Sequence, residues 1–194
     1  DETEDDFFSL APYYGAFGAN NLWVKGWTFL DQVGILTDGV EQPNVVEVFD
    51  ADINEGDNVT WTSDNEYILN GFVFVEEGAT LTIEPGTVIK GRQGQGADAS
   101  ALIIARGAQI FANGEADNPI IFTSILDDVN DPNDVPFGRS GLWGGLIVLG
   151  SATINIGAGV ENIEGIPINE PRGEYGGTND DDNSGVIRFV SVRH

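Results

Sequence analysis

The chain of 194 residues has no cysteine, no methionine, one histidine, and only eight Lys and Arg against 32 Asp and Glu. Without Cys there are no disulfides, thiol nucleophiles or thiolate metal sites, although secreted and intracellular proteins can both lack it. His194 is the lone imidazole, and no nucleophile elbow accompanies it, so no Ser–His–Asp or Cys–His constellation can be assembled. No run of about 18 apolar residues occurs, which excludes a membrane-spanning helix. The shortage of basic residues excludes a nucleic-acid interface, whose phosphates demand a basic surface, and argues against an anionic membrane face. No stretch sustains a 3.6-residue apolar period, so the chain is not helical. The formal net charge is −24. Such self-repulsion must be screened by salt or by bound cations, and it suits a salty or calcium-containing exterior.

What is present is a repeated phrase. Phe74-Val75-Glu76-Glu77-Gly78-Ala79-Thr80-Leu81-Thr82-Ile83 is an apolar run, a Gly-small turn and an alternating strand. Ile103-Ile104-Ala105-Arg106-Gly107-Ala108-Gln109-Ile110-Phe111 repeats it 29 residues later. Ile147-Val148-Leu149-Gly150-Ser151-Ala152-Thr153-Ile154-Asn155 repeats it again, beyond a polar insertion at residues 127–139. Short strands and Gly turns at a period in the twenties predict a solenoid whose coils stack on one another. The 26 glycines and the frequent Val, Ile, Thr and Phe agree. Solenoids host unrelated activities, so the architecture does not name the function.

Residues 1–44 form an acidic start followed by an aromatic patch containing Phe7, Phe8, Tyr13, Tyr14, Phe17, Trp23, Trp27 and Phe29. Two readings stand for it: a cap over a terminal coil, or a stacking platform for sugar rings. Residues 45–194 read as coils. Val45 to Asp52 alternates, as do Trp61 and Tyr67 to Val75, and Glu84-Pro85-Gly86-Thr87 is a tight turn between strands. Leu102-Ile103-Ile104 and Ile120-Ile121-Phe122 suit buried parallel strands, with corners at Asn113-Gly114 and Asn118-Pro119. Ile187-Phe189-Val190-Val192 reads as one further strand. It reaches His194 without a turn or a polar closing segment, so the stack is expected to be cut there or to continue in another chain. A first residue of Asp rather than Met is read as a mature or trimmed product.

Thr80-Leu81-Thr82-Ile83-Glu84-Pro85-Gly86-Thr87-Val88-Ile89-Lys90-Gly91 carries a resemblance, as do Asn118 to Ser124, Gly141 to Gly150, Tyr175 to Gly185 and Arg188 to His194. Taken in order, these segments resemble secreted or cell-surface right-handed parallel β-helix proteins of the pectin-lyase-like architecture, common in Bacteroidetes and marine bacteria. The resemblance covers about residues 60–194. It implies an all-β, right-handed parallel β-helix and an extracellular or cell-surface location. It also implies further coils after the last matching piece. It brings no established catalytic residues. Tyr14-Gly15-Ala16-Phe17 with Trp23 to Thr28 resembles a closing segment usually found at the other end of such proteins. Tyr14, Phe17, Trp23 and Trp27 are therefore candidates for docking on a partner's coil end.

Two acidic loops are candidate calcium sites: Asp180, Asp182 and Asn183 in one, and Asp127, Asp128, Asp131 and Asp134 in the other. Calcium takes six to eight oxygens, which acidic Gly-containing loops supply, although the EF-hand pattern is absent. The competing reading is solvated turns whose Asp and Asn cap their own backbone. Asp50 and Asp52, two apart on a strand, would share a face. Arg106 and Arg188 are expected to pair with neighbouring carboxylates. Arg92-Gln93-Gly94-Gln95-Gly96 lacks the Lys-Ser/Thr and following helix of a phosphate loop. No catalytic residue is assigned. The expected function is a non-enzymatic extracellular structural or adhesion module that docks end to end on another copy, even as a filament. The alternative is a calcium-dependent protein that binds or cleaves polysaccharide.

Overall fold

The computed structural model describes residues 43–194 other than 137, 157 and 158. It is a right-handed parallel β-helix of short strands. The chain runs β1 (Asn44–Val48), β2 (Asn58–Trp61), β3 (Asn65–Leu69), β4 (Phe72–Val75), β5 (Thr80–Ile83), β6 (Val88–Gly91), β7 (Ala101–Ile104), β8 (Gln109–Asn113), β9 (Ile120–Ser124) and β10 (Gly145–Val148). A small pair follows, β11 (Glu161–Asn162) and β12 (Glu174–Tyr175), and then β13 (Gly185–Arg188) and β14 (Val190–Val192). Three parallel sheets form the walls: β1-β3-β6-β9-β14, β2-β5-β8-β13 and β4-β7-β10. The pairing of β11 with β12 is antiparallel. Among the described residues no helix is long and apolar enough to cross a membrane.

The repeat read in the sequence is the register of the walls. Phe74 pairs with Ile103, and Ile103 with Ile147. Thr80 pairs with Gln109. Alternation puts every second side chain into the column, so inward residues form ladders along the axis. One ladder runs Tyr67–Ile89–Phe122–Val192, and another runs Val73–Leu102–Leu146. Trp61 and Tyr67 stack inside, with ring centroids 4.7 Å apart. The Tyr67 hydroxyl accepts the Thr62 N–H at 2.9 Å, so the buried ring leaves no orphan polar group.

One corner is a column of glycines. Gly56, Gly78 and Gly107 have φ of +77°, +76° and +77°, and the Gly78 N–H donates to the Gly107 carbonyl at 3.0 Å. This left-handed backbone costs a side-chain-bearing residue but not Gly, so one residue type turns three successive coils alike.

The third sheet is apolar on both faces. Val73, Leu102 and Leu146 point inward, while Phe72, Phe74, Ala101, Ile103 and Ile147 point outward. Leu149, Ile163, Ile166 and Tyr175, from the segment between β10 and β13, cover the outer side. The continuous apolar run at β7, all four residues buried, follows from this double burial.

Three sequence expectations differ from the structure. The third repeat keeps its first strand, β10, but the expected strand at Thr153-Ile154-Asn155 does not extend the wall. Gly185 to Arg188 takes that place on β8 instead. Gly185 fits because a Cβ there would lie 1.9 Å from the Ile110 carbonyl oxygen. The strand from Val45 stops at Val48, and Asp50–Asp52 forms a 3-10 turn, so these two acids do not share a strand face. The single final strand is two, β13 and β14, separated by Phe189 at φ +47°.

Candidate functional site

The two acidic loops use their carboxylates on nearby N–H groups. Asp180 accepts the Thr153 N–H at 2.8 Å, which holds its carboxyl below the ordinary range. Asp182 accepts the Ser151 N–H at 3.0 Å, and Asn183 Oδ1 accepts the Gly185 N–H at 2.9 Å. The loop thus ties the departure from β10 to the entry into β13. In the other loop Asp128 accepts from the Asn130 N–H, Asp131 from the Asn133 N–H, and Asp134 from the Asp128 N–H. These are side-chain-capped turns. Asp127 stands apart from them. It is buried, accepts the Thr123 hydroxyl at 2.6 Å, and lies 3.5 Å from the Arg193 guanidinium and 3.7 Å from His194 Nε2. Among the described residues no group of three or more His, Cys, Asp or Glu is placed to hold a metal ion.

The strongest charged cluster was not visible in the sequence. Arg172 reaches Asp50 with both terminal nitrogens at 3.0 and 2.9 Å, Glu76 at 2.9 Å, and Glu170 with Nε and Nη2 at 2.8 Å each. Its guanidinium also lies over the Phe74 ring, 4.2 Å from the centroid. The hydrogen bonds from Arg172 hold the Glu170 carboxyl below its ordinary range, and those to Glu170 and Asp50 raise the guanidinium's own affinity for its proton. Two of its three carboxylate partners, Asp50 and Glu76, lie 122 and 96 positions away, so no local pattern could have shown the cluster. It pins the cover of the third sheet to the first coils. Arg106 does the same further along, pairing with Glu174 at 2.9 Å and the Gly176 carbonyl at 3.0 Å. At the first coil, the Asn70 amide and then Arg92, at 2.6 Å, hold the Glu47 carboxyl below its ordinary range.

An open recess of about 470 Å³ lies where the β6–β7 and β9–β10 connections meet. Gln93, Gln95, Arg139 and Ser140 line it with the backbone of Gly94 and Gly141.

Among the described residues, the column positions of β10, β13 and β14 are partly exposed. By register, Ile187 stacks on Ala112, Val192 on Phe122 and Val148 on Ile104, so all three point inward. They are nevertheless 48%, 57% and 43% exposed, while the residues beneath them are fully buried. Phe189 at the corner is also exposed. Trp143 closes one side: it lies parallel to Phe122 at 6.5 Å, and its Nε1–H donates to the Arg193 carbonyl at 2.8 Å. Tyr14, Phe17, Trp23 and Trp27 lie outside the described residues.

A family model described as a pectate-lyase-like β-helix domain matches residues 51–194. Comparison with curated proteins and with solved structures matched none.

Proposed function

Because this chain belongs to the pectate-lyase-like β-helix domain family, and its last rung exposes inward-facing apolar side chains, we propose that it is a non-enzymatic structural module that docks end to end on a second copy. The observation that carries the reading is the exposure of Ile187, Val192 and Val148 at column positions. Beside them lie the outer edges of β13, β14 and β10. Unpaired N–H and C=O groups on three parallel edges template further strands, and the apolar ends between them favour burial. A head-to-tail contact that does not close propagates into a filament. The aromatic segment bearing Tyr14, Phe17, Trp23 and Trp27 belongs to the same reading as a second docking element. The proposed setting is the cell exterior or cell surface, where the −24 charge favours solubility.

Sedimentation of the purified protein against concentration tests this. A series of oligomers is expected, abolished by Val192→Glu and weakened by the double variant Trp23→Ala/Trp27→Ala. A monomer at every concentration removes the proposal. The second reading, calcium-dependent binding or cleavage of polysaccharide, draws on the polar recess that Arg139 helps to line. Incubation with acidic and neutral polysaccharides, with and without calcium, decides it. Neither binding nor cleavage under any condition removes it.

A further inference from the structure

Arg139 stands apart from most of the arginines. Arg92, Arg106, Arg172 and Arg193 each meet a carboxylate of this chain. Among the described residues Arg139 meets none, although 32 Asp and Glu accompany only eight Lys and Arg. It is exposed, and it lines the open recess of about 470 Å³ between the β6–β7 and β9–β10 connections. Gln93, Gln95 and Ser140 line it too, and no Asp or Glu does. Main-chain donors are also unspent there. Among the described residues the N–H groups of Gln93, Gly94, Gln95 and Gly141 find no acceptor.

Both walls have a local origin. A Cβ on Gly94 would lie 1.8 Å from the Asp98 carbonyl oxygen, so only glycine lets the β6–β7 connection fold back on itself between Gln93 and Gln95. Gly141 turns the chain just after Arg139 and Ser140 with φ +72°, a conformation that glycine adopts freely. The Gly144 N–H donates to the Ser100 carbonyl at 2.7 Å and ties one connection to the other.

We infer that this recess is a calcium-independent site for a monoanionic sugar unit, its carboxylate or sulfate group held by Arg139 and its hydroxyls by Gln93, Gln95 and Ser140. The inference rests on the second reading above and puts an arginine where that reading puts calcium. A guanidinium presents its donors as a planar fork that takes two oxygens of one anion at once. One such charge balances one negative charge, and a dianion would leave a surplus on a chain already at −24. Amides and a hydroxyl both donate and accept, as sugar hydroxyls require of their partners. The volume falls within the range of about 300–1,000 Å³ usual for small-molecule sites, room for a short saccharide. The net charge repels an anion from afar, but at about 0.15 M salt the screening length is about 8 Å, so contacts inside the recess decide. The acidic loops, whose Asp128, Asp131, Asp180 and Asp182 already accept backbone N–H groups, are not called on to hold a bridging ion.

The test is isothermal titration calorimetry of the whole chain with a sulfated, a uronic-acid and an uncharged disaccharide, in a chelator and again in calcium. Arg139→Gln and Arg139→Lys change an exposed side chain, and circular dichroism checks their fold. One or both charged disaccharides are expected to bind in the chelator, the comparison between them telling sulfate from carboxylate, and the uncharged one at least about tenfold more weakly. R139Q is expected to lose about tenfold or more for the charged probes only, and R139K to fall between. An uncharged disaccharide that binds as tightly as the charged ones, or R139Q that binds them as tightly as the wild type, overturns the anion assignment and leaves polysaccharide binding standing. Binding that appears only with calcium overturns it in favour of a bridging ion. Absence of binding by every disaccharide overturns the site, and the polysaccharide incubation above then decides separately whether the second reading survives.

Discussion

Replacing Arg172 by Met removes the one positive charge held among Asp50, Glu76 and Glu170 while keeping an apolar stem over Phe74. Exposed ion pairs contribute about 0–1 kcal/mol each, and breaking a buried one costs about 3–5 kcal/mol. Arg172 lies between these limits at 27% exposed, and Asp50 at 46% must be discounted for solvent screening. The loss is therefore placed at about 2–4 kcal/mol, part of it repulsion among the three carboxylates left behind. For a chain of this size about 1 kcal/mol moves Tm by roughly 2–4 °C, so R172M should melt roughly 5–15 °C lower. R172K keeps the charge but loses the two-pronged fork and should fall between.

The acid side gives a sharper signature. In the wild type the Glu170 carboxyl is held below its ordinary 4.5 by Arg172. A depressed carboxyl contributes stability that is present above the unfolded value and lost as pH falls through the folded one. The wild type therefore weakens on acidification below about pH 4.5. In R172M the three acids face one another, which favours their protonated forms, so mild acidification narrows the gap to wild type. Thermal melts at pH 7 and pH 4.5, read by near-ultraviolet circular dichroism of the aromatic residues, measure both effects. Dye binding to the uncovered face of β4, β7 and β10 reports release of the cover. A melting temperature within 2 °C of wild type, with an unchanged acid slope, would refute the reasoning and make the cluster a solvated surface feature.

Gly185→Ala should cost about 3 kcal/mol or more, because a Cβ meets the Ile110 carbonyl at 1.9 Å and φ is +116°; urea unfolding checks it, and a neutral result removes the argued close approach of β13 to β8. Trp143→Ala removes the ring lying beside Phe122 and should cost about 3 kcal/mol, with loss of tryptophan signal on the same transition. A chelator is expected to leave Tm unchanged, since Asp180, Asp182, Asp128, Asp131 and Asp134 already accept backbone N–H groups; a fall of several degrees, reversed by added calcium, assigns the ion to one of the loops.

The walls were legible in the sequence because register in a parallel solenoid is a fixed offset. Once Phe74, Ile103 and Ile147 align, so do the strands they sit in. The Pro85-Gly86 turn was legible because its chemistry is local, with Gly86 at φ +81°. The departure after β10 was not legible. Gly150-Ser151-Ala152-Thr153 looks like the corner that precedes β5 and β8. Whether such a corner feeds a strand or an excursion depends on whether a later segment fits the wall better, and Gly185 does. The Arg172 cluster was hidden for a related reason. Its partners come from an early 3-10 turn, the end of β4 and the excursion, and only the folded cover brings them together.

The excursion and the open end are the same physical problem met twice. Phe72, Phe74, Ile103 and Ile147 would expose an apolar sheet face, and Leu149, Ile163, Ile166 and Tyr175 cover it, fastened by Arg172 and Arg106. Ile187, Val192 and Val148 expose the column at its end, and within the described residues nothing comparable covers them. The difference lies in what is fastened over each face. Around the sheet face, Arg172 and Arg106 hydrogen-bond Asp50, Glu76, Glu170 and Glu174 of the same chain. At the rung of β13 and β14, Arg193 pairs with the buried Asp127 of the same chain, and Arg188 is exposed.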